Sequence, residues 1–166
     1  TAAEIASKAG KDVVIFEQTA LGGTCLNVGC IPTKTLLYSA KQYYNATHSD
    51  KYGVKAESVT FDYTKIVQRK NKVVRKLVAG IKQKLNNEHC TTVMGAASIV
   101  SRTDEQVVIA CGEEQYEAEN LLICTGSTNF VPPIPGIKDN PAVWDSTDAL
   151  DTKELPQSMI IVGGGV

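Results

Sequence analysis

The chain has 166 residues, 43% of them hydrophobic and 21% charged, enough for one globular core. Its formal net charge of −1 gives no electrostatic ground for a nucleic acid or an anionic membrane surface as partner. No apolar run approaches the roughly 20 residues a spanning helix requires, and no charged region leads into an apolar stretch at the N-terminus, so no signal peptide is read.

In chain order, residues 1–10 carry a helix pattern closed by a glycine stop at Gly10. Lys11-Asp12 then leads into Val13-Val14-Ile15-Phe16-Glu17, a short continuous apolar run ending in an acid. Helix, tight turn and buried strand ending in Glu form the second half of a βαβ dinucleotide-binding unit. Its first strand and G-x-G-x-x-G turn are expected just before residue 1. The acid at the strand end accepts hydrogen bonds from a ribose in such a unit, which makes Glu17 a candidate binding residue.

A Gly22-Gly23 turn follows, then a loop with Cys25 and Cys30 and the start of a helix. Pro32 suits a first helical turn, and Leu36, Leu37, Ala40 and Tyr44 recur at helical spacing behind it. Residues 48–59 are polar and turn-like. A long helix is predicted from Asp62, a plausible cap, to about Glu88. Ile66, Val73, Val74, Leu77, Val78, Ile81 and Leu85 form its apolar stripe. Its eight Lys or Arg residues read as a solvated face rather than a phosphate or nucleic-acid patch, given the near-neutral chain.

Strands are predicted over 92–100, 106–111, 115–118 and 121–125, with a turn at Gly112. Val131-Pro132-Pro133-Ile134-Pro135-Gly136 is an extended connector. Residues 159–166 read as an apolar strand running into a glycine turn, the opening of a second dinucleotide-binding unit with Gly163 and Gly165 in its phosphate loop.

The chemistry concentrates in Gly22-Gly23-Thr24-Cys25-Leu26-Asn27-Val28-Gly29-Cys30-Ile31-Pro32-Thr33-Lys34. Glycines let a backbone approach a flat partner closely, and a helix N-terminus favours the thiolate form of a cysteine placed there. Two cysteines so spaced could form a structural bridge, ligate zinc or act as a redox dithiol. Zinc would need two further Cys or His ligands at suitable spacing, and His48 and His89 stand alone in the sequence. The odd count of five cysteines, with Cys90, Cys111 and Cys124 scattered in apolar segments, fits a reducing, cytoplasmic compartment, where a structural bridge is disfavoured. Asn45-Ala46-Thr47 is a sequon with nothing else pointing to secretion.

This block resembles the redox-active disulfide of the flavin-dependent pyridine nucleotide–disulfide oxidoreductases, and within them most closely the dihydrolipoamide dehydrogenases. Leu26 and Ile31 favour that group, since the related reductases usually carry Val at both places, and Thr33 keeps the hydroxyl of a commoner serine. The resemblance implies an α/β fold: an FAD/NAD(P)-binding Rossmann-like three-layer domain, truncated, with a β-meander insertion. Residues 1–150 would be the FAD-binding domain without its first strand and glycine turn, and 151–166 the linker and first strand of the NAD-binding domain.

By the same resemblance Cys25 is the interchange thiol and Cys30 the charge-transfer thiol of a Cys25–Cys30 disulfide. Gly22, Gly23 and Thr24 lie along the FAD, Lys34 beside the flavin N5, and Glu17 on the ribose. Ala97 contacts the adenine, and Thr125, Gly126 and Ser127 form a second flavin-contact segment, in which Cys124 replaces the usual alanine. The implied reaction passes electrons from dihydrolipoamide to the disulfide, then to FAD, then to NAD+. The lipoamide is carried on lipoyl domains of 2-oxoacid dehydrogenase or glycine-cleavage complexes, and the intact enzyme is a homodimer. No metal, nucleic acid or membrane is expected. A glutathione or mercuric reductase type and a flavin-free dithiol module are the alternatives. The family's general base belongs to a C-terminal interface domain, so the 166 residues alone are expected to show no turnover, weak or absent FAD binding and self-association.

Overall fold

The computed structural model describes residues 1–164. Its architecture is α/β, and the chain divides into two compact units, Thr1–Asn27 with Arg75–Asn129, and Val28–Val74 with Phe130 onward.

In the first unit, helix α1 (Ala2–Lys8) leads through a glycine turn to strand β1 (Val13–Glu17), as predicted. β1 pairs in parallel with β2 (Cys90–Met94), Val13 opposite Cys90 and Glu17 opposite Met94. Parallel pairing demands a long crossover, which the intervening helices supply. Strands β3 (Ala97–Arg102), β4 (Val107–Cys111) and β5 (Glu114–Ala118) form an antiparallel meander in that order. β4 is its centre, with Val107, Ile109 and Cys111 buried and Val108 and Ala110 half-buried between them. That alternation is the period of a strand with one face inward. Leu21 and Leu85 complete the buried apolar set of this unit.

The run expected as one strand over 92–100 is two strands in two sheets, because of Gly95. A β-carbon there would lie 2.6 Å from Cys111 Sγ. The Gly95 N–H still donates to Glu17 O at 2.9 Å, and two residues later Ala97 already pairs with Cys111. The chain therefore changes sheets at the one residue without a side chain to obstruct the passage. Gly95→Ala is expected to lower stability by about 1–3 kcal/mol, the cost of overpacking a filled site. Adding Cys111→Ala should recover most of that loss in urea-unfolding midpoints. Strictly additive effects of the two substitutions would show that the sulfur is not the obstacle.

His89 joins the turn before β2 to the turn before β1. Its Nδ1 lies 2.9 Å from Asp12 Oδ1, and its carbonyl accepts from Val13 N. The Asp12 hydrogen bond, aided by the charges of Asp12 and Glu88 and opposed by slight desolvation, raises the imidazole pKa. A raised folded value means a contribution fully present below the ordinary histidine value of about 6.5 and lost as pH rises through the folded value. Asp12→Asn is expected to lower the His89 titration midpoint in an NMR pH series and to flatten the decline of stability above that range. A midpoint unmoved by the substitution would contradict this.

In the second unit, α3 (Cys30–Thr47) has Pro32 fully buried in its first turn, where the missing N–H has no partner to lose. Helix α4 (Tyr63–Leu85), of which the residues to Val74 belong to this unit and the rest to the first, begins where Lys65 N donates to Asp62 Oδ1 at 3.1 Å, so Asp62 is the predicted cap. Its basic residues are not all a solvated face. Arg69 donates to Thr35 O of α3 at 3.1 Å, with its guanidinium 5.5 Å from the Tyr38 ring. Lys70 is buried and donates to Leu150 O in α5 (Ser146–Asp151) at 2.6 Å. The spacing Ile66, Lys70, Val73 places Lys70 on the apolar stripe.

Two predicted strands are absent. Residues 121–125 are extended but join no ladder, with Leu122 and Ile123 exposed. Residues 159–162 are likewise exposed and unpaired, Ile160 at 91%. An apolar run becomes a strand only where a neighbour offers backbone partners, and no described segment pairs with either. Gly165 and Val166, the end of the predicted glycine turn, lie outside the described residues.

Candidate functional site

The segment after β1 is built around one carboxylate. Glu17 Oε1 accepts from Thr19 N at 2.8 Å, Thr19 Oγ1 at 3.1 Å and Ala20 N at 3.2 Å. These bonds fix the chain as it leaves the strand and hold the half-buried Glu17 at the strand end. All three fall on Oε1, so the second oxygen keeps its acceptor capacity for a diol such as ribose.

Leu21 is buried next, and Gly22 and Gly23 follow with φ of +115° and +70°. A side chain would be strained at both, which is the physical reason for glycine there. At Gly22 a β-carbon would also crowd Leu26 Cδ2 at 3.2 Å and Asn27 Nδ2 at 3.3 Å. The predicted loop between the cysteines is in fact mostly helix: α2 spans Gly23–Val28 and only Gly29 separates it from α3. A glycine start and few strong helix formers hid that helix. The side chain of Asn27 offsets the weak propensity by donating to Leu21 O at 3.2 Å and Gly23 O at 3.1 Å.

Cys25 lies in the first turn of α2 and Cys30 is the first residue of α3, both exposed. Gly29 caps α3 with no side-chain bond, Pro32 carries no N–H, and Thr33 N donates to Gly29 O at 3.1 Å. Lys34 stands one turn beyond Cys30 on the same helical face and is exposed. Of the other cysteines, Cys124 is exposed as well, Cys111 is buried, and burial pushes the Cys90 thiol pKa up.

The first unit thus holds Glu17, Gly22, Gly23, Thr24, Cys25, Ala97, Thr125, Gly126 and Ser127, and the second holds Cys30, Lys34 and Gly163. Ala97 opens β3 opposite Cys111. Thr125, Gly126 and Ser127 lie in the exposed segment outside any ladder, and a β-carbon at Gly126 or Gly163 would meet nothing within 4 Å. His48 stacks on Tyr44 with ring centres 4.0 Å apart, and its Nδ1 lies 2.9 Å from Tyr44 O. Among the described residues no three His, Cys, Asp or Glu gather as a metal-binding group. A cavity of about 440 Å³ in the second unit is lined by Pro141, Val143, Trp144, Asp148, Asp151 and Thr152, none of them a predicted site residue. No helix among the described residues is long and apolar enough to cross a membrane.

The pyridine nucleotide-disulphide oxidoreductase family model matches residues 1–166. Dihydrolipoyl dehydrogenases of Geobacillus stearothermophilus and Bacillus subtilis (strain 168) are each 39% identical over 160 residues, 96% of this chain and 34% of the relative. The dihydrolipoyl dehydrogenase of Chlamydia muridarum (strain MoPn / Nigg) is 36% identical over 168 residues, 99% of this chain and 36% of the relative. Among solved structures, a Cu(II) complex of the HOCl-induced flavoprotein disulfide reductase RclA from Escherichia coli is similar with a TM-score of 0.73 and 34% identity. That match covers 93% of this chain and 31% of the other. The chain spans about a third of the length of the curated relatives it matches.

Proposed function

The chain belongs to the pyridine nucleotide-disulphide oxidoreductase family, and from that premise we propose that it is the FAD-domain portion of a dihydrolipoyl dehydrogenase. The observation that carries this reading is the Gly22–Lys34 block, with Cys25 in the first turn of one helix and Cys30 opening the next. The relatives named dihydrolipoyl dehydrogenase support the substrate. Residues 1–150 form the FAD-binding domain and 151–166 lead into an NAD-binding domain.

In this reading Cys25 exchanges with the incoming dithiol of dihydrolipoamide. The lipoamide disulfide forms, the Cys25–Cys30 bond breaks, and the two electrons pass on to NAD+ with release of one proton. When bound, FAD supplies the two-electron relay between dithiol and nicotinamide. Lys34, one turn on from Cys30, places a cation along the same helical face. Glu17 offers its second carboxylate oxygen to the ribose. Gly22, Gly23 and Thr24 line the flavin, Ala97 the adenine, Thr125, Gly126 and Ser127 a second flavin contact, and Gly163 with Gly165 the nicotinamide nucleotide phosphates. The partners are lipoyl domains of 2-oxoacid dehydrogenase or glycine-cleavage complexes, a second copy in a homodimer, and a reducing cytoplasm.

The similarity to a flavoprotein disulfide reductase favours a second reading, in which the same dithiol serves another disulfide substrate. Anaerobic addition of one equivalent of dihydrolipoamide to the full-length protein discriminates them. A flavin spectrum that gains a long-wavelength thiolate-to-flavin band, followed by NAD+ reduction, supports the dehydrogenase. The same band with an NAD(P)H reductant but not with dihydrolipoamide selects the second reading. A colourless protein rejects both.

A further inference from the structure

Three hydrogen bonds end on one oxygen of Glu17, and only one of them comes from a side chain. Thr19 N and Ala20 N donate to Oε1 at 2.8 and 3.2 Å, and the Thr19 hydroxyl donates to the same atom at 3.1 Å. A carboxylate oxygen has two lone pairs, so three donors saturate Oε1. A further hydroxyl has to go to Oε2, which none of the three reaches. The two backbone bonds follow from the path of the chain and survive a change of side chain at position 19. The third bond needs a hydroxyl there. Thr19 is exposed and Glu17 half-buried, so the Thr19 side chain adds little packing to the fold beside its bond to the carboxylate.

We propose that Thr19 is a positioning residue for the adenosine ribose: its hydroxyl fills Oε1 of Glu17 and leaves Oε2 as the fixed acceptor of the 2′-hydroxyl. The consequence is a preference for the ribo over the 2′-deoxyribo form of the flavin nucleotide. The inference rests on the FAD-domain reading above, and Glu17, Thr19 and Ala20 all lie in the first unit. An acid at this strand end takes the ribose 2′-hydroxyl in a dinucleotide-binding unit. A glutamate side chain has three rotatable torsions, and an acceptor ordered beforehand spares the ligand the cost of ordering it. Threonine is suited to this, because its branched side chain is stiff at χ1. Without the hydroxyl, two bonds hold Glu17 in place of three. Affinity then falls for a ligand that carries the 2′-hydroxyl and not for one that lacks it.

The test strips FAD from the full-length protein and titrates back FAD or its 2′-deoxyadenosine analogue, read by the change in flavin fluorescence. Wild type is expected to bind FAD about tenfold more tightly than the analogue, the size of one hydrogen bond to a charged group. Thr19→Val keeps the shape and loses the donor, and should narrow that ratio about fivefold through weaker FAD binding alone. Thr19→Ala carries the same expectation, and Thr19→Ser, which keeps the donor, should retain the wild-type ratio. Glu17→Ala should abolish the preference, and adding Thr19→Val to it should change neither affinity, because Thr19 acts through the carboxylate. A merely structural Thr19 would lower the thermal midpoint and weaken both ligands equally, which overturns the proposal. An unchanged ratio in Thr19→Val and Thr19→Ala overturns it too. Wild type that binds both ligands equally rejects Glu17 as the ribose acceptor, and wild type that binds neither rejects the FAD reading. Either result removes this inference with it.

Discussion

Cys30→Ser in the full-length flavoprotein is expected to remove the long-wavelength band on reduction and to lower dihydrolipoamide:NAD+ turnover by on the order of 10³-fold or more, as loss of a covalent-relay nucleophile does. The physical reason is position. Cys30 opens an 18-residue helix that follows the short helix bearing Cys25, and in the proposed reading it is the sulfur that lies against the flavin. Serine keeps the size and loses both the polarisable thiolate and the ability to form a disulfide. Cys25→Ser should behave differently, and the contrast is the stronger evidence. It also loses turnover, but leaves Cys30 with no partner to close upon, so the band should be present before any reductant is added. Identical spectra for the two variants would mean that the cysteines do not divide the roles as proposed.

Lys70 carries the second large effect, on stability. Its side chain is 4% exposed, and its ammonium donates to Leu150 O at 2.6 Å while Asp151 Oδ1 lies at 3.4 Å. Asp151 is 71% exposed at its side chain, so its carboxylate is already hydrated and the ion pair is worth no more than about 1 kcal/mol. The bond from a charged donor to the Leu150 carbonyl is the larger interaction, about 1.5–3 kcal/mol. The buried methylenes add roughly 0.8 kcal/mol each. Lys70→Ala is thus expected to cost about 4–5 kcal/mol, Lys70→Met about 1.5–3 kcal/mol because it keeps the aliphatic volume and loses the bond, and Asp151→Asn less than about 1 kcal/mol. Urea-unfolding midpoints give the order directly. An Asp151→Asn loss as large as that of Lys70→Met would show that the ion pair dominates after all.

These two positions differ in how they read from the sequence. Cys30 is conspicuous because cysteine, glycine and a helix start recur at a fixed spacing, and local spacing is carried by the chain itself. Lys70 is hidden because a lysine on an apolar stripe reads as the edge of a solvated face. Only the carbonyl of Leu150, 80 residues away in the chain, turns it into a buried donor. Asn27 and Gly95 belong to the same class. Asn27 looks like one more residue in a motif until its amide is seen on Leu21 and Gly23. Gly95 looks like one more residue of a single strand over 92–100 until Cys111 is seen against it.

The sequence by itself determined the elements whose signals are local: α1, β1, α3 with Pro32 in its first turn, the Asp62-capped α4, and the β4–β5 hairpin around Gly112. Hydrophobic period, capping and turn chemistry act over a few residues and need no distant partner. It also determined which residues to test, since the Gly22–Lys34 block and Glu17 announce themselves by type and spacing. The tertiary structure alone decided which apolar runs become strands. Residues 90–94 found β1 and 97–102 found β4, whereas 121–125 and 159–162, equally apolar, found no ladder among the described residues. A strand is a relation between two segments, and each buried N–H and C=O needs a partner that its own segment cannot supply.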